Sequence, residues 1–308
     1  MISIITAVHN QIRFNQLFIE SLKKNSFYKN EIIIIDNHST DGSPEFFEEH
    51  GCIVMRNSNN RCYPASQNMG ISISHRPYLA FLNNDIYLGP NWDRNIIEAM
   101  QSGKLDIASL GSVEVTENPI ERRKYSQRWK WIRRGKRHLH AEVPALKSMM
   151  FRLYGNGFEQ WCYTRHKIYY PKTYPGTTGS AVVTTKELWN KLGELWDERV
   201  ESSDWDIHIR ASKRASEVGD IKPPVIVPWA LHHHFSRVTF HSKPEPCACN
   251  HPHIKLSDKW SDEEIKRYGP WLPEDLSWRA TIRKFIKRFR VDLNPIDREA
   301  VTQRSKKN

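Results

Sequence analysis

The first 112 residues alternate between short runs of β-branched residues and segments with helical periodicity, and this alternation restricts the fold more than any other feature. The runs ISIITAV and EIIII predict two strands, and CIVM, RPYLAFL and KLDIASL predict three more. Between the first two strands, four apolar residues recur at the spacing of one helix face: Phe14, Leu17, Phe18 and Leu22. The pattern predicts an α/β fold with a mostly parallel central sheet flanked by helices, whose ligands bind at the carboxyl ends of the strands.

The rest of the chain divides less regularly. Residues 113–175 are basic and aromatic without clear periodicity, and they predict an inserted loop or small subdomain. Strand and helix signals return in residues 176–240. Residues 241–308 predict a C-terminal extension rich in loops, with a basic amphipathic helix at 279–290. That helix either docks on the protein's own core or lies on an anionic membrane surface.

The chain of 308 residues has 46 Lys and Arg against 35 Asp and Glu, a formal net charge of +11. Such a surface attracts anions: nucleotide phosphates, nucleic acid or acidic lipid headgroups. The charge concentrates in residues 121–140 and 279–290. In the first of these segments, Tyr125, Trp129 and Trp131 are interleaved with basic residues, a pattern that fits stacking on single-stranded nucleic acid or on the sugar rings of an acceptor.

Five cysteines in a chain of this length are odd in number and sparse, which favours a reducing compartment and predicts no structural disulfide. The chain begins directly with a strand pattern, and no apolar run approaches the roughly 18 residues of a membrane span. We therefore expect a cytoplasmic protein. The basic helix adds the prediction of peripheral attachment at the inner face of the cell membrane.

Polar side chains follow the buried run from Tyr78 to Leu82 in the stretch FLNND. On an extended segment, Asn83 and Asp85 face the same side and Asn84 faces the other. Asn and Asp are good turn formers, so these residues either close the strand or present a metal ligand at the edge of the sheet.

Two other strands also end in polar residues. Asp36 ends the second strand, where it either builds a turn or accepts hydrogen bonds from a ribose or from a base N–H. In the later stretch PWALHHHF, side-chain alternation puts His232 and His234 on one face and His233 on the other. Three histidines at a strand end favour metal ligation over a purely structural role.

The segment CACNHPH raises the question of a zinc site formed by Cys247, Cys249, His251 and His253. Alternate residues of an extended strand share a face but spread over about 20 Å, whereas zinc ligands lie roughly 2.0–2.3 Å from the ion. Only a sharp fold of the chain, which Pro252 permits, would gather them. The spacing therefore argues against a simple site.

Several of these motifs occur in the order typical of one enzyme family. ISIITAVHN, EIIIIDNHSTDGS, NRCYPASQNMGI and FLNND lie within residues 1–110, and TTGSAVVTTKELWNKLGELWDERVESSDWDIHIR and PWALHHHF lie within residues 175–240. The chain resembles the inverting glycosyltransferases of family 2, which have the GT-A fold and include many rhamnosyltransferases. The ordered series is more specific than any single motif.

The resemblance implies roles for named residues. Asp36 would hold the nucleoside, and the residues that share its binding site would be Ala7, His9, Asn10, Asn68, Asn83 and Asn84. Asp85 and His234 would hold Mg²⁺ or Mn²⁺, and Asp204 would be the general base. One carboxylate is enough, because Mg²⁺ keeps several waters and takes its other ligands from substrate phosphates.

The sequence departs from the family pattern at three positions. Asn83 replaces the first aspartate of the metal motif, and Cys62 replaces a glycine. Ser203 replaces the glutamate of the Glu-Asp pair, whose aspartate is retained as Asp204. Asp206 is the other candidate base, but it lies four residues before Arg210 on the predicted helix, where an ion pair would occupy it.

The sequence thus predicts a metal-dependent, inverting hexosyl- or deoxyhexosyltransferase. Its donor would be a nucleotide-diphosphate sugar and its acceptor a saccharide or lipid-linked saccharide in surface polysaccharide synthesis. A nucleic-acid-binding protein would explain the charge but not the ordered motifs. A catalytically inactive GT-A scaffold that acts as a binding partner would explain Asn83 and Ser203 as signs of decay.

Overall fold

The computed structural model describes residues 1–236, 238, 246–249 and 251–269. Strands and helices alternate through the first half as predicted: β1 (Ile2–Val8), α1 (Ile12–Asn25), β2 (Glu31–Asn37), α2 (Ser43–Glu49), β3 (Ile53–Asn57), α3 (Tyr63–Ser72), β4 (Tyr78–Leu82), β5 (Ile86–Leu88), α4 (Trp92–Gly103) and β6 (Ile107–Gly111). The short strand β5 is an addition to the sequence prediction.

Burial explains why these segments form strands and helices. Strands β1, β2 and β4 are apolar along most of their length because helices cover both faces of the sheet. The four apolar residues of the α1 stripe are all buried, as their spacing predicts. The core of this half therefore follows the hydrophobic periodicity of the sequence.

Residues 113–175 are largely helical, so of the two alternatives, an inserted loop or a small subdomain, the helices favour the second. They contain α5 (Pro119–Ile132), a 3₁₀ helix (Arg134–His140), α6 (Val143–Tyr154), α7 (Phe158–Tyr169) and β7 (Tyr174–Pro175). Asn118 caps α5, its side-chain oxygen accepting from the backbone N–H groups of Ile120 and Glu121. The sequence pattern misses these helices because basic residues interrupt their apolar stripes.

The insertion packs around an apolar cluster to which α1 also contributes side chains. Trp129 is only 5% exposed and packs with Phe14 and Tyr154 in this cluster, whereas Trp131 is 63% exposed. The expectation that the aromatic residues of this segment form a stacking surface is therefore wrong for Trp129. Tyr125, which belongs to the same prediction, also packs against the cluster.

The second half returns to the sheet. It contains β8 (Ala181–Thr185), α8 (Glu187–Leu192), α9 (Ser203–Glu217), β9 (Val225–His234), α10 (Leu256–Lys259) and α11 (Asp262–Tyr268). The described part of residues 246–269 contacts the rest of the protein at several points, among them a bridge between Ile254 and Val200 and a hydrogen bond from Trp260 to Asp206. The predicted basic helix at 279–290 lies outside the described residues. A search of the described helices finds none that is long and apolar enough to cross a membrane.

The described strands form one sheet in the order β3-β2-β1-β4-β8-β6-β9-β5, with β7 beside β9. Pairing is parallel from β3 to β4 and between β6 and β9. It is antiparallel on both sides of β8 and where β5 and β7 meet β9. The sheet is thus mixed: the predicted parallel pairing is found among β3, β2, β1 and β4 and between β6 and β9, and the other pairs are antiparallel.

Candidate active site

The end of β4 and the end of β9 meet at one edge of the sheet. Asp85 follows β4 and is 5% exposed, and its backbone oxygen accepts from Phe235 N at 2.9 Å. Ile86 pairs with His234 in the antiparallel ladder of β5 and β9. Backbone hydrogen bonds therefore bring Asp85 and His234 together, although they are far apart in the sequence.

These two side chains form a charged cluster with a third residue. His234 Nε2 lies 3.3 Å from Asp85 Oδ1, and His234 Nδ1 lies 2.8 Å from Glu114 Oε2. Glu114 comes from the segment after β6. The imidazole thus bridges two carboxylates, one at each ring nitrogen.

The three charges stabilise one another. Burial opposes protonation of His234, but the charges of Asp85 and Glu114 and their hydrogen bonds outweigh it and raise the His234 pKa well above its usual value. Burial also opposes ionisation of Glu114, yet the His234 charge and hydrogen bonds from His234 and Ser236 lower the Glu114 pKa to about 2. The two carboxylates therefore favour the protonated form of the His234 ring.

The donor set fits a divalent cation. A ring nitrogen of His234 and a carboxylate oxygen of Asp85 already face each other. The carboxylate oxygen together with substrate phosphate oxygens suits Mg²⁺ or Mn²⁺, and the imidazole nitrogen could add one further ligand. Glu114 lies at the opposite nitrogen, so it cannot share the ion with Nε2. Its carboxylate is placed to accept a hydrogen bond from the Nδ1–H group, which would fix the tautomer and orientation of the ring.

A first cavity, of about 180 Å³, opens at the carboxyl ends of β1 and β4. Its walls include the following residues: Ala7, His9, Tyr63, Asn83, Asn84 and Asp85. His9 Nδ1 lies 2.7 Å from the Asn37 backbone oxygen, which holds the ring against the end of β2. Asn84 Nδ2 donates to Asn15 Oδ1 at 2.8 Å. The structure thus brings most of the predicted nucleotide-binding residues to one cavity.

Asp36 and Asn10 shape the loop beside that cavity. Asp36 Oδ2 accepts from Ser39 N at 3.2 Å, while its Oδ1 is buried without a hydrogen-bond partner among the described residues. Asn10 accepts from Thr40 N at 2.8 Å, and its own backbone N–H donates to Ser39. Asp36 therefore has a turn role, and its Oδ1 is a buried acceptor that does not line the first cavity.

Asn68 is placed differently from the prediction. Its side-chain oxygen accepts from Trp196 N at 3.0 Å, and its amide nitrogen donates to the Trp196 backbone oxygen at 3.0 Å and to Glu198 at 3.2 Å. These bonds hold the loop before α9, and Asn68 lines a separate cavity with that loop. We therefore remove Asn68 from the set of nucleotide-binding candidates.

A second cavity, of about 480 Å³, adjoins the first and shares Tyr63 and Asn83 with it. Asp204, in the first turn of α9, lines this cavity opposite the cluster of Glu114 and His234. Burial raises the Asp204 pKa, although backbone N–H groups at the helix start lower it in part. No ion pair to Asp204 is formed within the described part of the chain. A carboxylate there keeps its affinity for a proton.

Two neighbours restrict Asp204. A Cβ atom on residue 179 would overlap the Asp204 carboxylate, so any side chain in place of Gly179 would have to displace Asp204. Burial and then the Asp204 charge raise the pKa of the Tyr63 hydroxyl, which has no hydrogen-bond partner among the described residues. The hydroxyl of Tyr63 thus lies between the two cavities and within electrostatic reach of Asp204.

Asp206, the alternative base, is occupied. Its side chain is 1% exposed and accepts from Trp260 Nε1 at 2.8 Å and from Lys259 Nζ at 2.9 Å. Arg210 lies 3.8 Å away, as the helical spacing predicts. Asp206 therefore joins α9 to the segment around α10 and does not line the second cavity.

The sequence and the fold of this chain are similar to those of known proteins. The sequence matches the family model described as Glycosyl transferase family 2 over residues 3–155. This part of the chain, residues 3–155, belongs to glycosyl transferase family 2. The matched residues include both strand ends of the first cavity and Glu114, whereas Asp204 and His234 lie beyond them.

Two curated proteins named as glycosyltransferases are similar to part of the chain. The putative glycosyltransferase EpsH of Bacillus subtilis (strain 168) is 28% identical over 95 residues, which are 30% of this chain and 28% of EpsH. The glycosyltransferase GlyG of Streptococcus pneumoniae serotype 4 (strain ATCC BAA-334 / TIGR4) is 23% identical over 112 residues, 35% of this chain and 37% of GlyG. The matches thus span about a third of each relative.

The fold is shared with solved glycosyltransferase structures. The crystal structure of S. aureus TarS superposes with a TM-score of 0.50 and 12% sequence identity, over 78% of this chain and 38% of TarS. At this identity the likeness concerns the fold alone, which is the GT-A arrangement that the sequence predicts.

The histidine row of this family member separates into three roles. His232 Nε2 lies 2.8 Å from Ser180 Oγ, and burial lowers the His232 pKa to about 3. His233 packs among aromatic rings of the insertion, with its Nδ1 3.0 Å from the Tyr154 hydroxyl, and burial lowers its pKa to about 3 as well. His232 and His233 are neutral core residues, and His234 is the member that faces charge.

Glu114, Tyr63 and Gly179 are site residues that sequence reasoning misses. Glu114 follows β6 as Asp85 follows β4, so a search for the first carboxylate after each strand would have found it. Tyr63 opens α3 beside Pro64, where it resembles any helix start. Gly179 has no sequence signal, because its constraint comes from a residue in α9.

Proposed function

We propose that this protein is a metal-dependent, inverting glycosyltransferase that moves a sugar from a nucleotide-diphosphate donor to a hydroxyl of a saccharide. The observation that carries the proposal is the junction of two cavities. The first ends at Asp85, the second contains Asp204, and Tyr63 and Asn83 lie on their shared wall. An arrangement with a cation site on one side and an unpaired carboxylate on the other suits transfer between two bound substrates.

The first cavity would hold the nucleotide. Asp36 would accept from a ribose hydroxyl or a base N–H, and what supports this role is that its Oδ1 has no hydrogen-bond partner among the described residues. Ala7 and His9 line the cavity at the end of β1. Asn83 and Asn84 offer amide groups at the wall nearest the cation ligands. Asp85 and His234 would hold Mg²⁺ or Mn²⁺, which when bound would neutralise charge on the leaving diphosphate.

Asp204 would act as general base. The acceptor hydroxyl gives its proton to the Asp204 carboxylate as its oxygen bonds to the anomeric carbon. The bond from that carbon to the donor's phosphate oxygen breaks at the same time, and its electron pair leaves with the diphosphate. A single displacement of this kind inverts the anomeric centre. The raised pKa of Asp204 makes its carboxylate a stronger proton acceptor than an exposed aspartate.

Cation dependence is the first test. Sugar transfer and donor hydrolysis would be measured with UDP, dTDP and GDP sugars, with Mg²⁺ or Mn²⁺ and then with excess chelator. We expect chelation to abolish transfer. We expect Asp85→Asn to lose cation-dependent stabilisation by donors in thermal-shift assays, since ligands that bind the folded state raise its melting temperature. Full activity in chelator would contradict the proposal, and an absence of both transfer and hydrolysis would favour an inactive scaffold.

The acceptor is proposed to be a saccharide or lipid-linked saccharide of surface polysaccharide synthesis, and the transferred group a hexose or deoxyhexose. The amphipathic sequence of residues 279–290 supports docking on an anionic membrane, where each of its basic residues would contribute about 1 kcal/mol. Cosedimentation with anionic liposomes, with and without this segment, tests the docking. Nucleic-acid binding is disfavoured, because Trp129 of the basic stretch is buried and cannot stack on bases.

A further inference from the structure

Three side chains with metal-binding atoms lie close together at a place separate from the cluster of Asp85, Glu114 and His234. Cys62 lies at the start of α3, and Cys249 and His253 come from the C-terminal segment. Their two sulfur atoms and one ring nitrogen all lie within 4.8 Å of one another. Cys249 Sγ is 2.8 Å from His253 Nε2. Cys62 is buried, whereas His253 is exposed, so the cluster is open to an ion from solvent.

Backbone hydrogen bonds bring the C-terminal segment to this place. Ala248 N donates to the Asn60 backbone oxygen at 2.6 Å, which sets Cys249 beside the loop that ends in Cys62. On the other side of the cluster, Ile254 N donates to Arg199 O at 2.8 Å. The segment is thus bonded to the protein immediately before Cys249 and immediately after His253. The side chains meet because the main chain is held at both ends.

Cys247 is the fourth potential ligand. It lies two residues before Cys249, and Ala248 between them donates to the Asn60 backbone oxygen. Cys247 also lines the first cavity beside Asn60 and Arg61, the two residues that precede Cys62. His251, by contrast, lines a separate cavity together with Asn68. The potential ligands therefore differ from those of the segment CACNHPH alone, because the structure includes Cys62 and excludes His251.

We propose that Cys62, Cys247, Cys249 and His253 bind one zinc ion in a structural site. Three thiolates and one imidazole form a tetrahedral set that zinc takes in closed structural sites. Zinc–sulfur and zinc–nitrogen distances of roughly 2.3 and 2.0 Å place neighbouring donor atoms about 3.5–3.8 Å apart in a tetrahedron. The three atoms that lie within 4.8 Å need only small side-chain rotations to reach that spacing.

The site would fasten the C-terminal segment beside the first cavity. Cys247 lines that cavity together with Asn60 and Arg61, so the ion would hold one of its walls. It would also join α3, from the first half of the chain, to residues that follow β9. The ion would act on structure and on the shape of the cavity, and it is separate from the cation of Asp85 and His234.

Metal content tests the site without reference to sugar transfer. The full chain would be purified in a thiol reductant, dialysed without chelator and analysed by inductively coupled plasma mass spectrometry. We expect roughly one zinc per chain, falling to a small fraction of that in Cys249→Ser and in His253→Ala. Both substitutions lie in the exposed segment, so the α/β core should fold. His251→Ala and Cys52→Ser are the matched controls, and both should keep the ion.

A second readout concerns the coordination. Cobalt in place of zinc should give the visible bands of a tetrahedral site with thiolate ligands, and Cys249→Ser should remove or shift them. Asp85→Asn should leave zinc content and cobalt bands unchanged, so failure of the proposed catalytic function and failure of this site can be told apart. Any of three results would overturn the proposal: no bound zinc in the reduced protein, equal loss in the controls, or a Cys62–Cys249 disulfide that persists in reductant.

Discussion

The two sides of the cleft hold their carboxylates in opposite ways. On the side of β4 and β9, Asp85 and Glu114 both pair with His234, and the Glu114 pKa is lowered to about 2. On the side of α9, Asp204 has a raised pKa and no ion pair within the described residues. The difference teaches that one cleft can be built to hold a positive charge on one side and to accept a proton on the other.

The largest effect expected from this difference concerns Asp204. Asp204→Asn keeps the size of the side chain but removes its proton acceptor, so kcat should fall by about 10²- to 10⁴-fold. Because burial disfavours the Asp204 charge, the variant should be at least as stable as the parent at neutral pH. Steady-state kinetics and thermal denaturation measure the two quantities.

Asp206→Asn is the matched control for Asp204. It weakens buried bonds to Lys259 and Trp260 and should lower the free energy of unfolding by about 1–3 kcal/mol, with kcat nearly unchanged in the folded protein. If Asp206→Asn lost turnover while Asp204→Asn retained it, Asp206 would be the general base and Asp204 would not.

A smaller loss is expected from Gly179→Ala. The added methyl group overlaps the Asp204 carboxylate and should displace it, and a displacement of about 1 Å can cost on the order of 10² in rate. Donor and cation binding should be preserved, because the change lies on the α9 side. Kinetics together with donor titration would show whether kcat falls alone. Unchanged kcat would mean that the position of Asp204 does not matter.

On the opposite side, Glu114→Gln should act through His234. It removes the carboxylate that orients the ring, and loss of such an outer ligand typically lowers metal affinity 10- to 100-fold. Cation titration of donor binding measures the change. Glu201→Gln, which lines the second cavity without contacting His234 in any described hydrogen bond or ion pair, is the control. Equal affinities in both variants would show that Glu114 is not an orienting group.

The most modest effect concerns pH. Protonation of Asp204 removes the base, and its raised pKa moves this loss to higher pH than for an exposed aspartate, whose reference pKa is about 3.9. Glu114 stays ionised over this range, since its pKa is about 2. The kcat profile at saturating cation should therefore show an acid limb above pH 3.9 that Asp204→Asn lacks. A limb at or below that value would contradict the assignment.

Sequence reasoning recovers the parts of this molecule that depend on local patterns. The strands and helices of the first half follow from hydrophobic periodicity, and the positions of Asp85 and His234 follow from the rule that ligands bind at strand ends. The helices of residues 113–175 escape it because they are stabilised by aromatic packing on α1, which is a tertiary effect. Their basic residues hide the apolar stripes.

The direction of β8 and the pairing of Glu114 with His234 could not be predicted for a related reason. Strand direction depends on how the insertion connects β6 to β8, and no local pattern in β8 encodes it. Glu114 belongs to the site only because His234, 120 residues later, points its Nδ1 at it. Asn68 shows the converse, since an asparagine in a recognisable motif is used to hold the loop at Trp196.

The order of strands also determines where this chain can be divided. Strands β4 and β6 both lie within residues 3–155, yet they are not neighbours, because β8 from the second half is inserted between them. A fragment that ended at residue 155 would leave the inner edges of β4 and β6 without hydrogen-bond partners. Exchange of halves between related enzymes should therefore fail at this boundary. Recombination that transfers β4, β6, β8 and β9 together would keep the sheet intact.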